Sequence, residues 1–381
     1  MPTEEIKLAE LVTAYEHLVE LCAELAHSPR LAIDIESNGF YAYREKVCLL
    51  QLSDGRGDYI VDPIAIKDLS PLAPIFADPG VEKIFHAGEY DILCLKRDYG
   101  VTFSNVFDTM IANRILGVKE LGLAAAIEKH FGVKLSKKLQ RADWGRRPLT
   151  AAHLQYAQLD THYLLRLSNI QKELLREKKR EDDAADAFAT LAEIKPNEKV
   201  FDPEGYWRLA GGRNLTGRQL AVLRELYLLR ERHAQERNRA PFRVMPEDLL
   251  IRLSVEPPST KDELKNARGM SPYLLERFGR ELLNAVAQGL AADPVAAPAR
   301  NTRERRDPRE WKLFEDLRQW RKAKAAEQGV DPVVVVSSAE LKEVARLAVL
   351  KSADPLKPLS ELKRGRLGEE ILKIVKQNIA D

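Results

Sequence analysis

Strand-like runs crowd into the first quarter of this chain and almost none follow, an order that calls for a mixed α/β domain succeeded by helical segments. The runs cover residues 31–36, 47–52, 58–61 and 83–86, and the turn-rich SDGRGD between the second and third reads as a hairpin. Ahead of them Leu8, Leu11, Tyr15, Leu18, Leu21 and Leu25 recur at intervals of three and four, which predicts an amphipathic helix running to about Ala26. A helical pattern over residues 89–97 follows Ala87-Gly88. From Val106 to about Lys179 the pattern is mainly helical, interrupted by a basic loop at 136–148 and including one helix from about Thr150 to Gln171. The α/β domain should end near residue 200. Beyond it only residues 333–336 look like a strand, and AADPVAAPARNTRERRDPR, from residue 291, reads as a linker.

The segments on either side of that linker are alike. Leu229-Arg230 and Ala240-Pro241 have counterparts in Trp320-Arg321 and Asp331-Pro332 at one offset. Glu263-Leu264-Lys265 pairs with Glu361-Leu362-Lys363, and Arg277, Gly279, Glu281 and Leu283 pair with Arg366, Gly368, Glu370 and Leu372 across gaps. A repeated helical unit is expected.

A length of 381 residues exceeds one hydrophobic core and implies two or three domains. No apolar run is long enough for a membrane span, and the polar start MPTEEIKLAE lacks a signal-peptide pattern. Cys22, Cys48 and Cys94 form no CxxC pair, which suits reduced thiols in a cytoplasmic protein without disulfides or zinc. The net charge of +2 hides an asymmetry: residues 1–100 carry 9 Lys and Arg against 18 Asp and Glu. A basic remainder joined to an acidic first part suits a polyanion binder with a carboxylate-rich cation site.

Three short segments carry the chemistry. In LAIDIES, residues 31–37, strand alternation puts Asp34 and Glu36 on one face and Ile33 and Ile35 on the other. Alone, such a pair is commonly two solvated acids. FHAGEYD, residues 85–91, passes through a glycine turn to Asp91 at a helix start, where an acid also suits the helix dipole. In YAQLD, residues 156–160, Tyr156 and Asp160 stand one helical turn apart on the same face. Four carboxylates without a His or Cys cluster favour oxygen-loving cations, Mg²⁺ or Mn²⁺. His86 and His162 lie beside these motifs without metal-ligand spacing and are expected to be structural. Gln51, on the strand after LAIDIES, is a candidate to face a terminal nucleotide. Six basic residues, Lys134, Lys137, Lys138, Arg141, Arg146 and Arg147, precede the last motif with only Asp143 among them, and should attract phosphates of an incoming strand.

The order DxE, then D, then YxxxD resembles the three motifs of the DEDD exonuclease superfamily in its tyrosine subclass. DWGRRPLTAAHLQYAQLDTHYLL, residues 143–165, with FHAGEYD and FDTMIANRILG, is similar to the ribonuclease D family and its nuclear-exosome relatives over about 200 residues. That resemblance implies an α/β ribonuclease H-like exonuclease domain, a mixed central sheet flanked by helices, over residues 1–205. Residues 213–290 resemble an HRDC domain, 291–307 the linker, and 308–378 a second, divergent HRDC-like domain. It further implies a two-metal-ion 3′–5′ exoribonuclease that trims precursor tRNA and other small structured RNAs with a free 3′-hydroxyl end and releases nucleoside 5′-monophosphates. Asp34 would bridge both ions, Glu36 and Asp160 would hold the one carrying the attacking water, Asp91 would support the other, and Tyr156 would orient the water. A monomer is expected. Two alternatives stay open: an exodeoxyribonuclease with the same centre, and a non-catalytic RNA-binding adaptor. The helical modules would widen the footprint on RNA or contact protein.

Overall fold

The computed structural model describes residues 6–196, 200–211, 213–296 and 307–379, so the opening MPTEE and most of the expected 291–307 linker lie outside the described residues. The chain begins with β1 (Glu10–Val12), α1 (Tyr15–Leu25), β2 (Arg30–Ser37), β3 (Val47–Ser53) and β4 (Asp58–Val61). It continues through α2 (Ala73–Ala77), β5 (Glu82–Phe85), α3 (Glu89–Tyr99) and β6 (Val106–Asp108). Five helices complete this part: α4 (Thr109–Ile115), α5 (Leu123–Phe131), α6 (Ala151–His162), α7 (Leu164–Glu177) and α8 (Glu181–Ala192). The strands form one mixed sheet in the order β1-β4-β3-β2-β5-β6. Pairing is antiparallel across β4, β3 and β2 and parallel elsewhere. On one face Ile33 and Ile35 pack with Leu18, Leu21 and Leu25 of α1, and with Phe85 and Leu95. Each such side chain contributes roughly 1.5–3 kcal/mol by leaving water, so the alternation of LAIDIES is held in register by its apolar half.

Four expectations need correction. The stripe from Leu8 to Leu25 is not one helix: Glu10–Val12 pair in parallel with Tyr59–Val61, leaving Leu8 and Leu11 exposed. The open edge of β4 satisfies that backbone, and Gln158 holds the approach by accepting from Ala9 N–H at 3.1 Å and donating to Lys7 O at 2.7 Å. Residues 106–108, read as helical, form β6 against β5 because an edge was available. The helix expected from Thr150 to Gln171 divides at Tyr163. Residues 333–336 are not a strand. Pro332–Val335 is a short helix, with Asp331 accepting from Val333 N–H at 2.9 Å.

The described residues fall into two compact units, one of Met1–Ser37, Val47–Pro196 and Glu304–Asp381, the other of Asn38–Lys46 and Asn197–Arg303. The second unit contains α9 (Tyr206–Ala210), α10 (Gly217–Glu236), α11 (Pro241–Val244), α12 (Glu247–Val255), α13 (Lys261–Asn266) and α14 (Pro272–Ala291) around Leu226, Leu250, Leu264, Phe278 and Leu282. Helices α10 and α14 touch so closely that a Cβ on Gly289 would lie 2.4 Å from Val222 Cα. The first unit ends with α15 (Pro308–Gln328), α16 (Pro332–Val335), α17 (Ser338–Val349) and α18 (Glu361–Ile379).

The two helical modules share a polar signature. His233, three residues after the buried Arg230, bonds Glu281 at 3.0 Å, and Lys324, three after Arg321, bonds Glu370 at 2.7 Å. One proposed correspondence fails, because Glu263 lies on short α13 whereas Glu361 opens the long final helix, the counterpart of α14. The second module packs on helices of the sheet domain in its own unit. Arg366 bridges Asp183 and Asp182, Arg180 donates to Gln328 O at 3.1 Å, and a Cβ on Gly117 would meet Gly329 O at 2.1 Å. That face of the second module is thus occupied by the chain's own sheet domain.

Candidate active site

Asp34 sits in the middle of β2, directly opposite Gln51 on β3, so the two side chains share a sheet face. Glu36 follows on that face two residues on. Tyr156 and Asp160 come from α6, which starts at a Thr150–His153 capping box and crosses β2, β3 and β4. Asp91 lies in the first turn of α3 and is almost completely buried. Its position depends on a tight Ala87-Gly88 turn, where Ala87 has φ 61° and a Cβ on Gly88 would fall 2.5 Å from Phe85 Cβ.

The sequence reading missed what holds that turn. Asp108 at the end of β6 is fully buried and accepts from Gly88 N–H at 2.7 Å and from Ile111 N–H at 2.8 Å. The motif FDT, an acid just before a helix, carried an N-cap signal for it. Ser37 and Tyr90 share a hydrogen bond of 2.6 Å that ties the end of β2 to the start of α3. Trp144, fully buried, stacks at a tilt on Tyr156 with centroids 5.9 Å apart and meets His153 edge-on at 5.3 Å. The WGRRP segment is therefore the wall that orients the tyrosine ring.

Electrostatics binds the four acids into one cluster. Burial, then the charges of Asp91, Asp160 and Glu36, hold the Asp34 carboxyl well above its ordinary range. Burial, then Asp160 and Asp91, pushes Glu36 up to about 9. Burial raises Asp160 to about 7, and burial with Asp108 and Asp160 raises Asp91. Asp34, Glu36 and Asp160 nevertheless keep part of their surface accessible, so water still reaches the cluster. Tyr156 is pushed far up by burial and by Asp160, Glu36 and Asp34, and stays a protonated donor at neutral pH. Among the described residues no three His, Cys, Asp or Glu side chains are already closed around a single metal position.

The donor set fits hard divalent cations. It offers only carboxylate oxygens, strained by mutual repulsion that positive charge would relieve. Gln51, fully buried on the same face, has no hydrogen-bond partner among the described residues for either amide atom. An interior amide left so costs about 1–3 kcal/mol, which a bound group at the cluster would offset.

Both flanking histidines make structural bonds. His86 shares a 2.8 Å hydrogen bond with Thr109, and burial lowers it to about 4. His162 bonds Asp58 at 2.7 Å, beside Gln158 on the same carboxylate oxygen. The basic loop divides. Lys134, Lys137, Lys138, Arg141 and Arg146 are exposed, but Arg147 is half-buried and bidentate to Asp62 at 2.6 and 2.7 Å, with a further bond to Cys48 O at 2.8 Å. Its expected role in attracting phosphate is corrected to a structural one. Arg147→Ala should lower the unfolding free energy by about 2–3 kcal/mol because it strands buried Asp62, whereas Lys137→Ala should change it by less than ~0.5 kcal/mol. Urea midpoints of the two variants check this, and equal midpoints would remove the assignment.

A family model described as 3′-5′ exonuclease matches residues 9–176, and one described as HRDC domain matches residues 219–286 and again 310–375. Ribonuclease D of Pseudomonas paraeruginosa is 30% identical over 370 residues, covering 93% of this chain and 94% of that protein. The exosome complex component 10 homolog of Caenorhabditis elegans is 32% identical over 286 residues, 73% of this chain, and the match spans only 32% of that longer protein. Among solved structures, Escherichia coli RNase D, described as an exoribonuclease involved in structured RNA processing, is similar with a TM-score of 0.66 and 27% identity, over 97% of this chain and 99% of that one.

Proposed function

The chain belongs to the ribonuclease D family of 3′–5′ exoribonucleases, and from that premise we propose that it trims the 3′ ends of precursor tRNA and other small structured RNAs at the carboxylate cluster. The observation that carries this reading is the electrostatic convergence of Asp34, Glu36, Asp91 and Asp160 beside Tyr156. Those four carboxylates would hold two divalent cations, Mg²⁺ or Mn²⁺. When bound, such ions supply charge neutralisation for an in-line displacement at the terminal phosphate.

The chain's own groups do the rest. Tyr156 keeps its proton and donates a hydrogen bond that orients the attacking water, with its ring angle set by Trp144. Asp108, by holding the Gly88 turn, keeps Asp91 in the cluster. Exposed Lys137, Lys138, Arg141 and Arg146 draw the phosphate backbone in, an attraction that weakens with salt. The reading extends to a monomer in the cytoplasm. Among the described residues no helix is long and apolar enough to cross a membrane, and no disulfide links Cys22, Cys48 and Cys94, all of them buried.

Incubating the protein with a 5′-labelled structured RNA, with and without EDTA, tests this. The expected result is a ladder shortening one nucleotide at a time, abolished by the chelator. Internal cuts, or trimming that persists in EDTA, would overturn it, and faster decay of a matched DNA oligomer would transfer the activity to DNA.

A further inference from the structure

Residues 38–46 join β2 to β3 but belong to the same compact unit as the first HRDC module. The loop is pinched at its neck, where Asn38 Oδ1 accepts from Lys46 N–H at 2.8 Å. Its crown is bonded to the turn between α10 and α11. Ala240 N–H donates to Tyr41 O at 2.9 Å, Arg44 N–H to Asn238 Oδ1 at 2.8 Å, and Arg243 Nε to Phe40 O at 2.5 Å. Gln235 adds a bond to the Tyr43 hydroxyl at 2.9 Å, and Ala42 and Ala240 are buried. The backbone of this surface is therefore rigid.

Its outer layer is aromatic and cationic. Phe40 is 52% exposed and Phe242 47%. The Arg243 guanidinium lies 3.8 Å from the Tyr41 ring centroid and 5.8 Å from that of Phe242. Residues 237–243 contain three arginines and no acid, and the loop adds Arg44 and Lys46 against Glu45. Large rings left in water forfeit burial free energy, and a ring of arginines disfavours an apolar partner. Flat rings beside guanidinium groups match a strand that carries phosphates and exposes base faces. Duplex RNA hides those faces inside the stack and presents only phosphates, sugars and base edges.

We propose that Phe40, Phe242 and Arg243, flanked by Arg44, Arg237 and Arg239, form a stacking platform for unpaired bases of the RNA substrate. The proposal rests on reading the chain as an exoribonuclease, and it assigns single-strand recognition to the first HRDC module rather than the second, whose Arg366 is engaged with Asp182 and Asp183.

Fluorescence anisotropy of the full chain in EDTA, with a short 5′-fluorescein oligoadenylate and a blunt RNA duplex of equal length, tests it. Phe40→Ala with Phe242→Ala should weaken single-strand binding on the order of tenfold per aromatic and leave duplex binding near wild type. Phe242→Trp should retain affinity. Arg243→Gln should weaken binding and reduce the salt slope by about one. Should the double alanine variant prove unstable to heat, the double leucine variant keeps the bulk without an aromatic face and serves in its place. Wild-type single-strand affinity in a folded double variant overturns the platform, as does equal loss on both RNAs, and the first result would reassign the surface to a protein partner. No metal or cleavage enters this readout, so its failure leaves the carboxylate centre standing, and failure of the trimming assay leaves the binding result intact.

Discussion

Asp34→Asn is expected to lower the single-turnover rate of 3′ trimming by about 10³-fold or more, while RNA binding in EDTA stays near wild type. Asp34 is the residue whose charge meets all three other acids of the cluster, from the middle of the most central paired strand. Removing one negative charge there halves the neutralising capacity of the DxE pair, and the amide that replaces it lies beside Gln51, already without a hydrogen-bond partner among the described residues. The same variant should be more stable than wild type in EDTA, because it removes a carboxyl whose ionisation is opposed by burial and by the charges of Asp91, Asp160 and Glu36. Rates from quenched-flow product sizing and melting curves in chelator check both halves. Unchanged trimming would remove the cluster as the reaction centre.

In EDTA the wild-type protein should lose stability as pH rises, and divalent ion should restore it. The sign follows from proton counting. In the unfolded chain these acids titrate in the ordinary carboxylate range, whereas in the folded protein Asp160 titrates at about 7 and Glu36 at about 9, with Asp34 and Asp91 also raised. Between the two ranges the native state holds more protons than the unfolded one, so the unfolding free energy falls with pH. Each fully displaced carboxylate contributes up to about 1.4 kcal/mol per pH unit of that window, and a domain of this size shifts by roughly 2–4 °C per kcal/mol. A fall of several degrees between about pH 6 and about pH 8 is therefore expected. Mn²⁺ should raise the melting temperature more at the higher pH, since cations and protons compete for the same oxygens. A flat profile in chelator would mean that the four acids are not clustered.

The pairing of Asp34 with Glu36 and of Tyr156 with Asp160 was legible because each lies inside one regular element, where the period of the backbone dictates which side chains share a face. The convergence of the two pairs with Asp91 was not. It needs β5 beside β2, a glycine turn pressed against Phe85, and Asp108 from a three-residue strand that looked helical. The basic loop shows the same limit. Lys137 and Arg147 carry equal charge in one run, and they differ only because Asp62, far back in the chain, waits for Arg147. The valines at 333–336 carry strand propensity, yet Asp331 and Pro332 start a helix there and bury Val335 and Val336 in a helical core.

Periodicity, turn residues and motif order were enough to specify a sheet domain ahead of helical modules, the family, and the side chains that should carry the chemistry. Those are properties of a few neighbouring residues, and each repeats whatever surrounds it. Which acid props up the site, which arginine is spent on the fold, and which aromatic rings stay exposed were decided only in the folded chain. Each of those depends on a partner distant in sequence, and burial, which gives that partner its strength, is not a local quantity.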